Sequence, residues 1–232
     1  MIKRLVLLPG MHGTGELFSE FMRTMPGQMH IEAPYYPGDA SPSYDQLQAM
    51  VEWFAPTSED FVLLAESYST PLAIQYAATN PPTLKGLILC AGFATSPIRG
   101  WRKLCVSLIA PLAFRLPLPE IAVSRFLVGP GAPDSLPTAV RAAIRSVKPA
   151  VLTERLRQIF AVDARPALGK IAVPILYIQA QRDRLVGPSS LKEIQGIKPQ
   201  IEFAQLEGPH LIIQREPQQS ADIVARFVEG LQ

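Results

Sequence analysis

Short apolar runs that alternate with helical patterns are the feature of this chain that most restricts its fold. The apolar runs predict strands at residues 4–8, 29–33, 60–65, 84–90, 173–179 and 200–206. Apolar residues at helical spacing predict helices at residues 43–54, 70–78, 189–195 and 217–231. Strands that alternate with helices form a mainly parallel sheet with helices on both faces, so the predicted fold class is α/β.

The segment 95–165 interrupts this alternation. It contains apolar clusters and several prolines, and then a stretch at 138–160 with a helical pattern. We therefore predict one domain over residues 1–232, with a small helical cap insertion at 95–165 that covers the carboxyl edge of the sheet. A chain of this length can bury one α/β core.

Composition excludes several classes of function. The chain has 22 basic and 20 acidic residues, a net charge of +2, which predicts no nucleic-acid partner. The longest nearly apolar stretch, 104–114, is shorter than the roughly 20 residues of a membrane span. The first apolar run is too short for a signal peptide, so we expect a cytoplasmic protein. Cys90 and Cys105 form no disulfide framework, and we expect two buried thiols.

A serine stands where the strand predicted at 60–65 passes into a helix. Ligands of parallel sheets bind at the carboxyl ends of the strands, so side chains there are the candidates for chemistry. A nucleophilic serine needs a tight strand-to-helix turn with small residues two positions before and after it. Ser67 has Ala65 and Ser69 at those positions, which are small although neither is glycine. The alternative is that Ser67 is an ordinary helix N-cap.

Two further candidates follow late strands. Asp183 comes after the strand at 173–179, and His210 after the strand at 200–206. Each has an alternative interpretation, as a surface ion pair of Asp183 with a neighbouring arginine or as a surface loop histidine. Together, Ser67, Asp183 and His210 have the chain order of a nucleophile, an orienting acid and a base placed at one edge of a sheet.

A glycine-rich loop at residues 7–15 follows the first strand. Such a loop can aim backbone N–H groups at an oxyanion, and we predict an oxyanion hole made by the amides of Met11 and Tyr68. The alternative is a phosphate-binding turn. The loop lacks the Gly-Lys-Ser/Thr ending that a P-loop requires.

Over nearly its whole length the sequence resembles the α/β-hydrolase superfamily. It is most similar to small bacterial serine esterases with Leu-Pro-Gly-x-Asp-Gly-Thr-Gly near the N-terminus and Gly-Glu-Ser-Phe-Ser-Gly at the nucleophile turn. Residues 8–15 and 65–70 carry this similarity. His12 replaces the acidic residue of the first motif, and Ala65 and Thr70 replace glycines of the second. These departures concern the shape of the pocket and the choice of substrate, since all three triad members are present.

The resemblance implies a mechanism and a pocket. His210 takes the proton of Ser67, Asp183 holds the imidazole, and an acyl-enzyme forms and is hydrolysed without metal or cofactor. His12 is predicted to contact substrate, or else to be only a turn residue. The cap is predicted to line an acyl pocket through four apolar side chains, which otherwise only pack the insertion onto the core: Trp101, Leu104, Leu108 and Phe114.

Four functional hypotheses follow. The first is a serine carboxylic ester hydrolase acting on small-to-medium acyl esters. The second is an esterase of carrier-protein-linked methyl esters, similar to the pimeloyl-type enzymes, in which basic residues of the insertion attract an acidic acyl-carrier protein. These residues, which otherwise form a solvated basic face, are Arg99, Arg102, Lys103 and Arg115. The third is an acyltransferase, and the fourth, from another class, is a non-catalytic ligand-binding protein of this fold.

Overall fold

Six parallel strands form a single sheet in the order β2-β1-β3-β4-β5-β6. The computed structural model describes residues 2–27, 29–117 and 119–231. The strands are β1 (Arg4–Leu8), β2 (His30–Glu32), β3 (Phe61–Glu66), β4 (Leu84–Cys90), β5 (Ile175–Ala180) and β6 (Glu202–Leu206). Strands β3 and β5 are buried at every position, because both faces of the sheet are covered.

Helices cover the two faces of the sheet and its carboxyl edge. They are α1 (Ser19–Thr24), α2 (Tyr44–Phe54), α3 (Thr70–Ala77), α4 (Trp101–Ala113), α5 (Glu120–Ala122), α6 (Ser135–Arg145), α7 (Pro149–Ala161), α8 (Arg165–Leu168), α9 (Pro188–Ile197), α10 (Ile212–Arg215) and α11 (Pro217–Gly230). Two 3-10 segments, Gly15–Phe18 and Ser67–Ser69, and a π-helical segment, Val123–Val128, complete the described elements.

Alternate residues of the strands enter two separate apolar cores. Leu5 and Leu7 of β1 pack with α1 and α11, whereas Val6 and Leu8 pack on the other face with α3, α8 and α9. This division follows from the two-residue period of a strand. The α/β class and the mainly parallel sheet that the sequence predicts are thereby confirmed.

The segment 95–165 holds α4 to α7, and its two ends meet. An antiparallel bridge joins Thr95 to Asp163, and the Ala164 amide donates to the Ala94 carbonyl at 2.8 Å. The stretch at 138–160 with a helical pattern is divided between two helices, α6 and α7. They separate where Lys148 adopts an extended conformation before Pro149, a residue that disfavours helix in its predecessor.

Two observations bear on the predictions from composition. Cys90 is buried, but Cys105 is exposed on α4, so the expectation of two buried thiols is wrong for Cys105. Of the helices within residues 2–27, 29–117 and 119–231, none is long and apolar enough to cross a membrane.

Candidate active site

The turn from β3 into α3 holds Ser67 in an unusual backbone conformation. Strand β3 ends at Glu66, and Ser67 has a φ of 50°, a value that costs energy for a residue with a Cβ. Such a turn projects the serine hydroxyl beyond the end of the sheet. Ala65 and Ser69, two positions to either side, are both fully buried, so the turn has no room for larger side chains.

Ser69 and Thr70, which follow the nucleophile closely, are accommodated by their neighbours. The Ser69 hydroxyl donates to the Pro9 carbonyl and lies 2.9 Å from the Tyr36 hydroxyl. The Thr70 hydroxyl donates to the Ser67 carbonyl at 2.7 Å. A Cβ added at Gly92 would lie only 2.7 Å from Thr70 Cγ2, so the methyl group of Thr70 occupies space that Gly92 leaves open.

The structure brings Ser67, His210 and Asp183 together from three separate loops. His210 Nε2 lies 2.8 Å from Ser67 Oγ, and its Nδ1 lies 2.7 Å from Asp183 Oδ2. The other carboxylate oxygen of Asp183 accepts from the amides of Leu185 and Val186 at 2.8 and 2.9 Å. The side chains of His210 and Asp183 are 6% and 2% exposed, which does not fit their interpretation as surface groups.

The charge environment of His210 favours its protonated form. Burial of the ring lowers the pKa of His210, but the charge and hydrogen bond of Asp183, together with the charge of Glu66, raise it by more. The net result is a pKa above the ordinary value of 6.5. An imidazole of raised pKa is a stronger base toward the Ser67 hydroxyl at a pH where it is neutral.

A buried arginine from α7 holds the loop that contains Met11. Arg155 is 1% exposed, and its guanidinium donates to the Met11 carbonyl at 2.7 Å and to the Pro37 carbonyl at 2.8 Å. Its carbon Cζ lies 6.0 Å from the ring centres of Tyr36 and Tyr68. Burial lowers the pKa of Arg155. Arg155 is not among the residues that the sequence predicted for the site.

A signal for Arg155 is nevertheless present in the sequence. Its position continues the buried stripe of α7 made by Val151, Leu152 and Ile159. A charged residue on an apolar helix stripe indicates a buried charge that needs partners.

Of the two residues whose amides are predicted to form an oxyanion hole, Tyr68 directly follows Ser67 and Met11 lines the same cavity as Ser67. Met11 lines the cavity described below, and within the described residues no acceptor is hydrogen-bonded to its amide. Tyr68 lies in the first turn of the 3-10 segment, where helix amides lack helical acceptors. The Tyr68 side chain points away from the cavity, and its hydroxyl donates to Gln158 Oε1 at 2.5 Å. The role of both amides stays a prediction.

His12 and Glu66 form a buried polar pair beside Ser67. His12 Nδ1 accepts from the Thr14 amide at 3.2 Å, so Nε2 carries the ring proton and lies 3.9 Å from Glu66 Oε2. The same carboxylate oxygen accepts from Gln214 Nε2 at 3.1 Å. His12 and Glu66 both line the cavity, where they are two of its few polar side chains.

A cavity of about 620 Å³ opens over Ser67 and His210. Apart from the polar groups named above, its walls are mainly apolar side chains of α4, α6, α7 and the adjoining loops. They include Phe93, Val106, Ala110, Phe114, Ile144, Leu152, Ile159 and Phe160. The segment 95–165 therefore supplies much of the space beside the nucleophile.

Three of the residues predicted to line this cavity do not line it. Trp101, Leu104 and Leu108 are 72%, 63% and 72% exposed, on the side of α4 that faces away from the cavity. The inner side of the helix presents Val106 and Ala110 instead. The prediction is wrong for these three because α4 is apolar on both sides, and its sequence does not tell which side faces the protein.

In the part of the chain that the structure describes, no group of three or more His, Cys, Asp or Glu side chains is placed to hold a metal ion.

Comparisons with known proteins give structural relatives only. No family model matches the chain, and no curated protein matches its sequence. Solved structures match it closely, among them a bromoperoxidase from Bacillus anthracis (TM-score 0.83, 14% identity, 99% of this chain and 92% of that one). A hydrolase from Oleispira antarctica has a TM-score of 0.81 at 13% identity, over 100% of this chain and 92% of its own.

A thermophilic esterase from Thermogutta terrifontis has a TM-score of 0.77 at 18% identity, over 98% of this chain and 90% of its own. At these identities the likeness concerns the fold, and one fold can support different reactions. The reaction therefore depends on the residues of the site and not on the fold alone.

Proposed function

Because the chain has the α/β-hydrolase fold, we propose that it is a serine hydrolase that cleaves carboxylic esters of small-to-medium acyl groups. The observation that carries this proposal is the continuous hydrogen-bonded series Ser67–His210–Asp183, with distances of 2.8 and 2.7 Å. A serine held at positive φ, a base at its hydroxyl and a buried acid on the base are the parts that acyl transfer requires.

The proposed reaction proceeds through an acyl-enzyme. His210 Nε2 takes the proton of Ser67 as Oγ attacks the ester carbonyl, and Asp183 stabilises the imidazolium that forms. The amides of Met11 and Tyr68 donate to the tetrahedral oxyanion. The intermediate expels the alcohol, which receives the proton from His210. Water, deprotonated by His210, then attacks the acyl-enzyme; the bond from the acyl carbon to Ser67 Oγ breaks, His210 returns the proton to Oγ, and the carboxylic acid is released.

The walls of the cavity support an apolar acyl group. The groups that would hold the ester lie at the Ser67 end, whereas the remaining walls, from α4, α6 and α7, are mainly apolar. Ligand cavities of this kind bind apolar groups and orient them with a few polar contacts. The volume of about 620 Å³ lies within the range of sites for small ligands.

The three alternative functions make different demands on the site. An acyltransferase would use the same triad and differ in the acceptor. For a carrier-protein ester, two of the four basic residues are engaged within the protein, since Arg99 pairs with Glu193 and Lys103 donates to the Phe160 carbonyl. A non-catalytic binding protein would not need the strained Ser67 turn.

Labelling with a fluorophosphonate probe tests the nucleophile. We expect the wild-type protein to be labelled, Ser67→Ala to be unlabelled and His210→Ala to be labelled far more slowly, because the hydroxyl then lacks its base. Ser189→Ala, at an exposed serine on α9, is the matched control and should label as the wild type does. Labelling that persists in Ser67→Ala would contradict the proposal.

A series of p-nitrophenyl esters tests the reaction. We expect turnover that Ser67→Ala abolishes, with release of the free acid as the second product. An added alcohol that diverted nearly all of the acyl group into a new ester would favour the acyltransferase. A probe-reactive protein that hydrolysed only carrier-protein-linked esters would favour the second hypothesis.

A further inference from the structure

The outer side of α4 carries an uncovered row of large apolar side chains. Trp101, Leu104, Leu108 and Leu112 are each more than 60% exposed. Of the twelve large apolar residues that are exposed in the described chain, eight lie between residues 101 and 126. Single exposed apolar residues are ordinary, but a concentrated set on one element marks a surface that binds something.

The spacing of this row makes it a continuous stripe. The four residues are three, four and four positions apart, which places them on one side of a helix. We call these four residues, with Leu116 one turn beyond, the outer stripe. Helix α4 has 13 residues and is therefore about 20 Å long. Because the outer stripe runs along one side of this helix, an apolar surface that covered the stripe would lie parallel to the helix axis.

The chain segment that carries the outer stripe has charged residues of one sign. Residues 96–119 contain four basic residues and no acidic one. Arg102 and Arg115 are exposed, and neither makes an ion pair with a described residue. The guanidinium carbon of Arg102 lies 5.9 Å from the ring centre of Trp101. An apolar helix side with tryptophan and flanking arginines has the composition of a helix that lies in a membrane surface.

The outer stripe ends where the apolar interior opens. A second groove of about 650 Å³ is lined by Leu116 and Pro117, and it shares Met11, Phe114 and Phe126 with the cavity over Ser67. The outer stripe and the nucleophile are thus connected by apolar walls. Of the residues that line this groove, only Arg115 and Arg145 are charged, so a chain leaving an apolar surface at Leu116 would meet mainly apolar walls before it reached the cavity.

From these observations we propose that α4 is a docking surface for anionic lipid bilayers. The outer stripe inserts among the acyl chains with the helix in the plane of the membrane, and Arg102 and Arg115 contact the anionic headgroups. The groove at Leu116 then faces the lipid. An acidic protein would be recognised mainly by charge, whereas this surface offers mainly apolar area, and half of the nearby basic groups are engaged internally.

Tryptophan fluorescence gives a direct test, because the chain has only two tryptophans, Trp53 and Trp101. In Trp53→Phe, Trp101 is the sole reporter, and its emission should shift to the blue when mixed phosphatidylcholine–phosphatidylglycerol vesicles are added. In Trp101→Phe, Trp53 should show no shift. Binding should fall on added salt and be weaker to pure phosphatidylcholine vesicles.

Substitutions on the outer stripe make the test specific. Leu104→Ser with Leu108→Ser should weaken cosedimentation with anionic vesicles at least about tenfold, since two leucines no longer leave water. Phe203→Ser, at another exposed apolar residue on β6, is the matched control and should bind as the wild type does. Leu104, Leu108 and Phe203 are all exposed, so the melting temperatures of both variants should stay close to that of the wild type.

Several outcomes would overturn the proposal. The first is an emission spectrum of Trp101 that vesicles leave unchanged. The second is vesicle binding that is equal in the double variant and the wild type, or equal for neutral and anionic vesicles. The third is a wild-type protein that is dimeric and binds no vesicles, with a double variant that is monomeric. Binding of an acidic acyl-carrier protein but not of vesicles would do the same. Vesicle binding does not rest on the proposed hydrolase, so Ser67→Ala should still bind vesicles, and either idea can fail alone.

Discussion

At the scale of single residues, His210 has two carboxylates in its surroundings that act differently. Asp183 accepts its Nδ1 hydrogen bond, whereas Glu66, fully buried under the Ser67 turn, acts on it through charge alone. Both raise the pKa of His210 against the effect of burial. The proposed base is active only when neutral. Hydrolysis should therefore fall as the pH drops, with a midpoint above 6.5.

The charge of Glu66 should therefore influence the pH dependence of hydrolysis. In Glu66→Gln the charge is lost while the shape and a hydrogen-bonding group next to Gln214 remain, so the midpoint of kcat/KM against pH should move to lower pH. The measurement is a pH–rate profile for a soluble p-nitrophenyl ester. Glu207→Gln is the control, because it removes a charge three positions from His210 that is exposed, paired with Arg182 and screened by water. The midpoint should stay close to that of the wild type. Equal midpoints in wild type and Glu66→Gln would show that the charge of Glu66 does not raise the pKa of His210.

At the scale of elements, the turn after β3 and the end of β4 are fitted to each other. Gly92 faces Thr70 with no space for a Cβ, and Thr70 supports the Ser67 carbonyl. Gly92→Ala should therefore destabilise the protein by about 1–3 kcal/mol through overpacking, and it should lower activity by moving the turn. Chemical denaturation and ester hydrolysis measure the two effects.

The same contact predicts a rescue. Thr70→Ser keeps the hydroxyl but removes the Cγ2 atom that the new Cβ would meet at 2.7 Å. Adding Thr70→Ser to Gly92→Ala should recover part of both losses, as expected for residues in direct contact. Additive losses in the double variant would show that the two residues do not compete for this space.

A second pair of elements, α7 and the loop after β1, is joined by Arg155. The guanidinium of Arg155 donates to two carbonyls at once, whereas the single ammonium group of a lysine in Arg155→Lys could hold only one of them in the same geometry. The Met11 peptide should therefore lose its fixed orientation. We expect kcat to fall by up to about 100-fold with little change in KM, because the Met11 amide is proposed to act on the transition state. Steady-state kinetics would separate the two parameters.

A neighbouring arginine provides the control for this change. Arg157 is exposed on the same helix and pairs with Glu154, so Arg157→Lys should leave both parameters near wild type. A rise in KM with unchanged kcat in Arg155→Lys would show that the arginine shapes substrate binding and does not position the oxyanion loop.

Local sequence signals predicted the strands, the helices α2, α3, α9 and α11, and the meeting of Ser67, Asp183 and His210, but not the other contacts between elements. Ser67, Asp183 and His210 each follow a strand directly, and parallel strands bring their carboxyl ends to one edge, so order along the chain was enough. Arg155 and Gly92 matter through partners that lie far away in sequence. No local pattern encodes such a pair, although a charge on the buried stripe of α7 was a usable signal.

At the scale of the whole molecule, the segment 95–165 supplies much of the wall of the cavity over Ser67. The orientation of α4 decides which residues line it, and amphipathicity could not predict that orientation, since both sides of the helix are apolar. The same ambiguity explains why Trp101, Leu104 and Leu108 were expected in the cavity. Their exposure assigns the two sides of α4 to different surfaces.

This division predicts how acyl length is selected. Ala110 is 7% exposed and lines the cavity from the inner side of α4, so Ala110→Phe should place a ring inside the acyl space. The KM for longer p-nitrophenyl esters should rise, while turnover of the acetate ester stays close to wild type, because the groups around Ser67 are untouched.

The control and the contradicting result come from the same series of esters. Ala161→Phe adds the same ring at an exposed position at the end of α7 that does not line the cavity, and it should leave the preferred chain length unchanged. If Ala110→Phe lowered turnover of all esters equally, the acyl chain would have to bind elsewhere. The groove beside Leu116 would then be the next space to fill, since it shares walls with the cavity but not Ala110.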